Sequence, residues 1–305
     1  MNWLLLSLVP ACFALNPVIG RALSDAFGPA TLSVVRWSLS AAVIAAIAVA
    51  RGPAERWHAP PLAILRIGLL GALGMGFCAY AAFIAAHTAE ATNIALIYGC
   101  AAALVAAWEI GAGRLRASAF LLAGVALCLA GTVLILTRGH PGMLRQWTFV
   151  VGDLWAAAGT LVFVAYTVLL RRERIALTPM PQFVVMAGMA ALALLPFSAA
   201  EIARAGAPLL HTGTIPWIAA VVLLAGIGAF LGYNISLSRS GPVLTSASIS
   251  LTPIYAAGLA IVLIGERLAW YHGAALALVV TGLLLLNRGQ AAPETPERTR
   301  WAAGR

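Results

Sequence analysis

Apolar residues fill ten runs of about 20 residues, parted by short polar joints, and each run is long enough to carry a helix across the hydrocarbon core of a bilayer. The predicted spans are Trp3–Ile19, Pro29–Val49, Leu62–Ala86, Ala91–Gly111, Ala117–Leu136, Asp153–Leu170, Pro181–Ala200, Pro216–Leu237, Val243–Ile264 and Ala269–Leu286. Arg138 to Val151 reads as a longer interfacial loop. The pattern predicts an all-α membrane protein with ten transmembrane helices and no stretch left for a soluble domain. Residues 289–305, with Pro293, Pro296 and mixed charges, read as a disordered cytoplasmic tail. Leu8 to Cys12 loosely resembles a lipoprotein cleavage site, but no basic residue precedes it, so the first run is expected to stay as a helix.

The polar positions inside those runs are not scattered. Between Ser240 and Leu268, Thr245, Ser248, Thr252 and Tyr255 recur at spacings of three and four and so share one helix face. Hydroxyls in lipid need partners or a wet cavity. Pro253 lies in the same predicted helix and is expected to remove a backbone hydrogen bond at mid-span, marking a helix break or gate. Gly76, Tyr80, Phe83 and His87 line one face of the third helix. With Asn93 and Tyr98 on the fourth, Tyr166 on the sixth, and Tyr233 and Asn234 on the eighth, these residues are numerous enough to suggest one cavity. Ring faces and hydroxyls without fixed charge suit a substrate with an apolar or aromatic side chain.

Composition narrows the class further. Hydrophobic residues make up 62% of the 305 and charged residues 10%, outside the balance of a soluble protein. The net charge of +9 comes from arginines without a single lysine, yet these sit at the ends of apolar runs and form no basic face, which excludes a nucleic-acid partner. Joints two–three, four–five, six–seven and eight–nine, with the end of span ten, carry Arg51, Arg56, Arg66, Arg114, Arg116, Arg171, Arg172, Arg174, Arg239 and Arg288. The opposite joints carry only Arg21, Arg138, Arg145, Arg204 and Arg267. Both termini are therefore expected in the cytoplasm of a bacterial inner membrane.

Arg36 is the deepest charge; snorkelling or a carbonyl partner is expected for it, against a part in gating or anion recognition. Glu90, Glu109, Asp153, Glu201 and Glu266 fall near span ends, so no mid-membrane acid announces proton exchange and the energy coupling stays open. His58, His140, His211 and His272 are expected among headgroups. The four cysteines lie singly in apolar runs and form neither a disulfide framework nor a metal site. Zinc, nucleophile-elbow and phosphate-loop motifs are missing, so neither an enzyme nor a cofactor is expected.

The two halves repeat. A shift of 150 lays Phe13 on Phe163, Arg21 on Arg171 and Pro29 on Pro179, and a shift of 153 lays Phe77 on Phe230, Tyr80 on Tyr233, Thr92 on Thr245 and Arg114-Leu115 on Arg267-Leu268. Five spans per half is an odd number, which inverts the second repeat relative to the first and brings Tyr80 and Tyr233 towards one pseudo-twofold axis.

Gly241-Pro242, a small polar helix through Pro253, then Gly265-Glu266-Arg267-Leu268 and a last helix with Thr281-Gly282 make the second half similar to the EamA-type branch of the drug/metabolite transporter superfamily. The resemblance implies two inverted five-helix units, 1–138 and 150–288, and export of amino acids or related amphipathic metabolites by alternating access. The expected partners are that small-molecule substrate and membrane lipid, with self-association left open. The first half departs from the pattern: Cys100 stands where Pro253 stands, and Gly113-Arg114-Leu115 replaces the Gly-Glu-Arg-Leu joint, so helix four is not expected to break as helix nine does. A carrier of sugar phosphates or nucleotide sugars is the alternative, wanting a deep cation that only Arg36 offers. A membrane enzyme or a scaffold comes after it.

Overall fold

The structure is a computed structural model that describes residues 3–52, 57–140, 150–170, 173, 177–233, 236, 248–249 and 251–291. Its helices, numbered in chain order, are α1 Trp3–Ala22, α2 Pro29–Ala50, α3 Pro61–Thr88, α4 Ala91–Gly111, α5 Ala119–Leu136, α6 Val151–Leu170, α7 Pro179–Ala205, α8 Ile215–Tyr233, α9 Thr252–Ile264 and α10 Trp270–Ala291. Eight of them, α2 to α8 and α10, are long and apolar enough to cross a membrane, whereas α9 has 13 residues. No strand occurs among the described residues. Asn234, Gly241-Pro242, Thr245, Arg171 and Arg172 lie outside them.

Several helices outrun the apolar windows, because residues at headgroup depth stay helical while turning polar. α7 continues five residues past Ala200 to Ala205 and stops at Gly206, whose φ of 85° only glycine adopts readily. α10 runs on to Ala291, so the tail expected from 289 cannot begin before 292.

Burial along α2 is inverted relative to a soluble helix. Leu39, Val43 and Ile47 are exposed along one face, while Ser33, Arg36, Trp37, Ser40 and Ile44 are buried on the other. In water such an apolar face is an aggregation hazard; in lipid it is a solvated surface, and the polar atoms turn inward to find partners.

With no hydrophobic force between helices in lipid, close packing has to come from small residues. α5 and α10 lie against each other through Gly124, Gly131 and Gly282. A Cβ on Gly124 would sit 2.8 Å from the Gly282 carbonyl oxygen, and one on Gly131 would sit 3.1 Å from that of Ala275. Leu121 meets Gly289, so the two helices run antiparallel. α2 and α7 are antiparallel as well: Thr31 meets Ser198 at one end and Arg51 meets Met180 at the other. One apolar core gathers α2, α3, α7 and α8 around Trp37, Phe83 and Phe183. A second gathers α4, α5 and α10 around Leu96, Leu121 and Val279. Between them, Ala14, Ala95 and Ala256 join α1, α4 and α9.

All five odd-numbered connections meet at one end of the bundle. Arg21, at the end of α1, donates to the carbonyls of Ala86 and His87 at the end of α3, at 2.8 and 3.1 Å. Glu201, at the end of α7, accepts from the Ala30 and Thr31 amides at the start of α2, each at 2.9 Å. Leu209 N donates to Ala26 O at 3.2 Å. Gly139 after α5 lies under the Trp270 ring of α10, and Thr92 of α4 meets Glu266 of the α9–α10 connection.

Candidate functional site

Two helices are interrupted where they touch. α4 turns at Cys100, whose φ and ψ of −74° and −8° shift its amide to a three-residue bond with Ile97 O at 3.2 Å before the helix resumes at Ala101. This corrects the expectation that helix four would not break. The Cys100 thiol is taken up by α5, donating to the Cys128 carbonyl at 3.0 Å and touching Thr132 Oγ1. The helix predicted from Val243 to Ile264 is also not continuous, for α9 starts at Thr252 after a turn at Leu251, whose carbonyl receives the amides of Ile254 and Tyr255 at 3.0 and 3.2 Å.

Pro253 therefore occupies the first helical turn, where an amide has no intrahelical acceptor, and not mid-helix as expected; its missing N–H breaks no bond. It packs on the other interruption. A Cβ on Gly99 would lie 3.1 Å from Pro253 Cγ, so glycine allows the two broken segments to approach. Pro253→Ala should consequently change stability by less than about 1 kcal/mol. Thermal unfolding of the detergent-solubilised protein checks this; a much larger loss would mean that the ring itself holds α9 to α4.

The predicted site residues divide around these breaks. The Tyr98 hydroxyl donates to the Cys78 carbonyl at 2.8 Å, passing over Gly159, which has no side chain to block it. Thr252 Oγ1 is buried without a hydrogen-bond partner among the described residues. Ser248 is buried, and Tyr255 packs beside Ala14, Ala95 and Ala256. Tyr80 and Tyr233 are both half-buried in separate aromatic settings. Tyr80 lies between Trp155 and Phe197, ring centroids 6.3 and 6.1 Å away, and Tyr233 is edge-on to Phe13 at 6.4 Å. Tyr166 is buried against Gly74, and Phe83, 1% exposed, is packed on Gly20. His87 is exposed at the end of α3.

The backbone of α3 is π-helical over Ala72–Phe77, and that of α8 over Val221–Gly228, with five-residue bonds from Cys78 N to Leu73 O and from Ala229 N to Leu224 O. Such wide turns realign carbonyls towards outside donors. α2 supplies the donors here: Trp37 Nε1 bonds Met75 O at 3.0 Å, Arg36 Nη2 bonds Ala225 O at 2.9 Å, and Ser40 Oγ bonds Val222 O at 3.2 Å. The Arg36 guanidinium lies 4.1 Å from the Trp37 ring centroid, so this deep cation is held by a carbonyl and a π face.

The largest polar cluster is one that span counting missed. His272 is not among headgroups, as expected, but 1% exposed inside the bundle, with its ring 4.2 Å from that of Tyr271. Its Nδ1 accepts from the Ala269 amide at 2.8 Å, which puts the ring hydrogen on Nε2. Nε2 faces Glu90 Oε2 at 2.7 Å and Asn93 Oδ1 at 3.0 Å, and Asn93 Nδ2 donates to Asp153 Oδ1 at 3.3 Å. Asn93, predicted as a cavity residue, is thus the fully buried centre of a four-residue chain.

Glu266 adjoins this chain, and the turn that positions it explains the Gly-Glu pair. Gly265, at φ 68°, ends α9 in the left-handed region, and the Gly265 and Glu266 amides return to Ile261 O and Ala260 O, each at 3.1 Å. The Glu266 carboxylate then reaches the start of α4, accepting from Thr92 Oγ1 at 3.1 Å and Thr92 N at 3.4 Å, where an anion suits the helix dipole. Gly113, at φ 69°, also turns the chain in the left-handed region after α4, in a register one residue tighter, with Arg114 N bonded to Glu109 O at 2.9 Å, but no acid follows it.

Electrostatics separates the two connection acids. Hydrogen bonding from His272 lowers the Glu90 pKa from its ordinary 4.5, with Arg138 and Arg21 adding to this against partial desolvation. Burial raises that of Glu266. A depressed carboxylate stabilises the fold above its unfolded value, and that stabilisation disappears as pH falls through the folded value. Glu90→Gln should therefore lower thermal stability at neutral pH, and the gap to wild type should begin to close at pH 4.5 and vanish below the depressed value. A pH-independent gap would assign the effect to shape and not to charge.

The family model for the EamA-like transporter family matches residues 1–137 and 150–288, leaving out only the interval after α5 and the C-terminal stretch. No curated protein matches the chain. Among solved structures, a crystal structure of a protein 22% identical superposes with a TM-score of 0.60, covering 92% of this chain and 96% of the other, a likeness of fold. With both halves of an apolar helical bundle accounted for by one transporter family, the chain belongs to the EamA-like transporter family, a membrane transporter of small solutes.

Proposed function

We propose that the protein is a secondary carrier of ten crossings that exports amino acids or similar small amphipathic metabolites, with aromatic and apolar side chains preferred, by alternating access. It comprises two inverted five-helix repeats, 1–138 and 150–288, in a bacterial inner membrane with both termini in the cytoplasm. The observation that carries this reading is the contact of the two helix interruptions at Gly99 and Pro253. Broken helices at membrane depth are tolerated where they are buried in protein or line a cavity, and transporters commonly build solute sites on them; Thr252 Oγ1 there is buried and unpartnered among the described residues. Antiparallel packing of α2 on α7 and of α5 on α10, each the counterpart of the other under the repeat, supports inversion. Five odd connections at one end support ten crossings with both termini at the other.

The sugar-phosphate alternative loses ground at Arg36, which is 3% exposed and already engaged with Ala225 O and Trp37. Uptake of a labelled panel of amino acids and sugar phosphates into proteoliposomes decides between them. Movement of amino acids with larger apolar side chains, and not of the phosphates, is the expected result; the reverse would overturn the substrate assignment. Reporter fusions at Arg172 and the C-terminus should read cytoplasmic and those at Gly142 and Gly206 external. The opposite pattern at any two sites would overturn the ten-crossing topology.

A further inference from the structure

Among the described residues, three carboxylate oxygens around the Glu90–His272–Asn93–Asp153 chain, Glu90 Oε2, Asp153 Oδ2 and Glu266 Oε1, are buried without a hydrogen-bond partner, and of the three residues Asp153 is the most deeply buried. The Ala269 amide fills His272 Nδ1, and the single hydrogen on Nε2 faces the Glu90 carboxylate and the Asn93 carbonyl oxygen. With its oxygen so used, the Asn93 amide donates to Asp153 Oδ1. Glu90 Oε2 at least has His272 Nε2 2.7 Å away, whereas Asp153 Oδ2 has no hydrogen-bond partner on a residue 1% exposed. A buried carboxylate oxygen without a donor is costly as an anion, and a bound proton removes that cost.

The surrounding charges point the same way. Asp153 faces Asn93 of α4, Glu90 between α3 and α4, Arg138 after α5, and His272 and Tyr271 of α10. α3 contributes the Thr88 hydroxyl beside Gly152 but no charge. Glu266 joins the group through Glu90 and His272, and Arg21 through Glu90. Three carboxylates, those of Glu90, Asp153 and Glu266, thus meet two guanidiniums, Arg138 and Arg21, and one proton balances the cluster. The participants come from connections three–four, five–six and nine–ten and from the starts of α4, α6 and α10, so whatever charges Asp153 acts on the helix ends that close this end of the bundle.

We propose that Asp153 Oδ2 is the proton-binding site through which this carrier couples solute movement to protons, the Asn93–His272–Glu90 chain linking its occupancy to the closed end. The proposal rests on the carrier reading above, and its test has one arm independent of transport. In infrared difference spectra of the purified protein titrated with acid and base, the protonated-carboxyl signal of wild type should contain a component, beside those of the other nine acidic side chains, that is missing from Asp153→Asn. Its persistence unchanged in the variant would overturn the site, whether or not any solute moves. In proteoliposomes loaded with the amino-acid panel, a pH gradient should change the transport rate of wild type, while the rates of Asp153→Asn with and without the gradient should coincide. A gradient effect that survives in the variant, or transport in wild type indifferent to the gradient, would overturn coupling while leaving the carrier intact. No movement of any solute by wild type would instead strike the carrier reading. Should Asp153→Asn fail to give monodisperse protein, Asp153→Glu, which keeps the acid, must restore both that component and the gradient effect, and its failure to do so counts against the proposal.

Discussion

Gly124→Leu should abolish accumulation of folded protein. The first added carbon would sit 2.8 Å from both the Gly282 carbonyl oxygen and Leu286 Cγ and 3.0 Å from Leu286 N, so even if the leucine side chain swings away the backbone of α10 stays in the way. Overpacking of this kind costs about 1–3 kcal/mol for small additions and more when helices must separate. α5 and α10 share the apolar core around Leu121 and Val279, which such a separation would open to lipid. Gly188→Leu on α7 is the control, because nothing lies within 4 Å of a Cβ there. The yield of monodisperse protein on size exclusion distinguishes them; equal yields would mean that the close approach of α5 and α10 is not needed for folding.

Asn93→Leu should have the second largest effect, a loss of about 3 kcal/mol, because it removes partners from a carboxylate and an imidazole that are both buried. Leucine fills much the same volume, so the loss reports unpaired polar atoms more than a cavity. Removing the acid as well should return part of the stability: Asn93→Leu combined with Asp153→Leu is expected to lose less than the sum of the single changes in thermal unfolding. Strict additivity would show that Asn93 and Asp153 are not energetically coupled.

The contrast between Pro253 and His272 shows what could be seen in one dimension. Proline's chemistry is local, so Pro253 drew attention to helix nine, but its place in the first helical turn depended on Leu251 becoming the first acceptor of α9. Cys100 carried no such mark. It has no intrinsic preference for a break, and its turn is supported by the Cys128 carbonyl and Thr132 on a neighbouring helix. His272, Glu90 and Asp153 each looked like an ordinary residue at a span end. One signal was available: their joints are all odd-numbered and must share one face of the membrane, so three ionisable groups at the same depth could have been suspected of meeting.

Arg36 makes the same point in the interior. Its depth was legible from its place in an apolar run, and a carbonyl was one of the partners foreseen. The particular carbonyl, Ala225 O, became free only because α8 widens into a π-helix, which no residue in Val221–Gly228 announces.

By itself the sequence determined that the chain is a bundle of membrane helices and approximately where each begins and ends. These follow from transfer of apolar side chains into lipid and from backbone sterics, which act within a few residues. Tertiary structure alone decided which ends meet: Glu266 on the amide of Thr92, Glu201 on those of Ala30 and Thr31, and His272 between Glu90 and Asn93. Those partners are 170 or more residues apart, and what unites them is the packing of small residues that brings helix ends together, after which buried charges must find one another because lipid offers them nothing else.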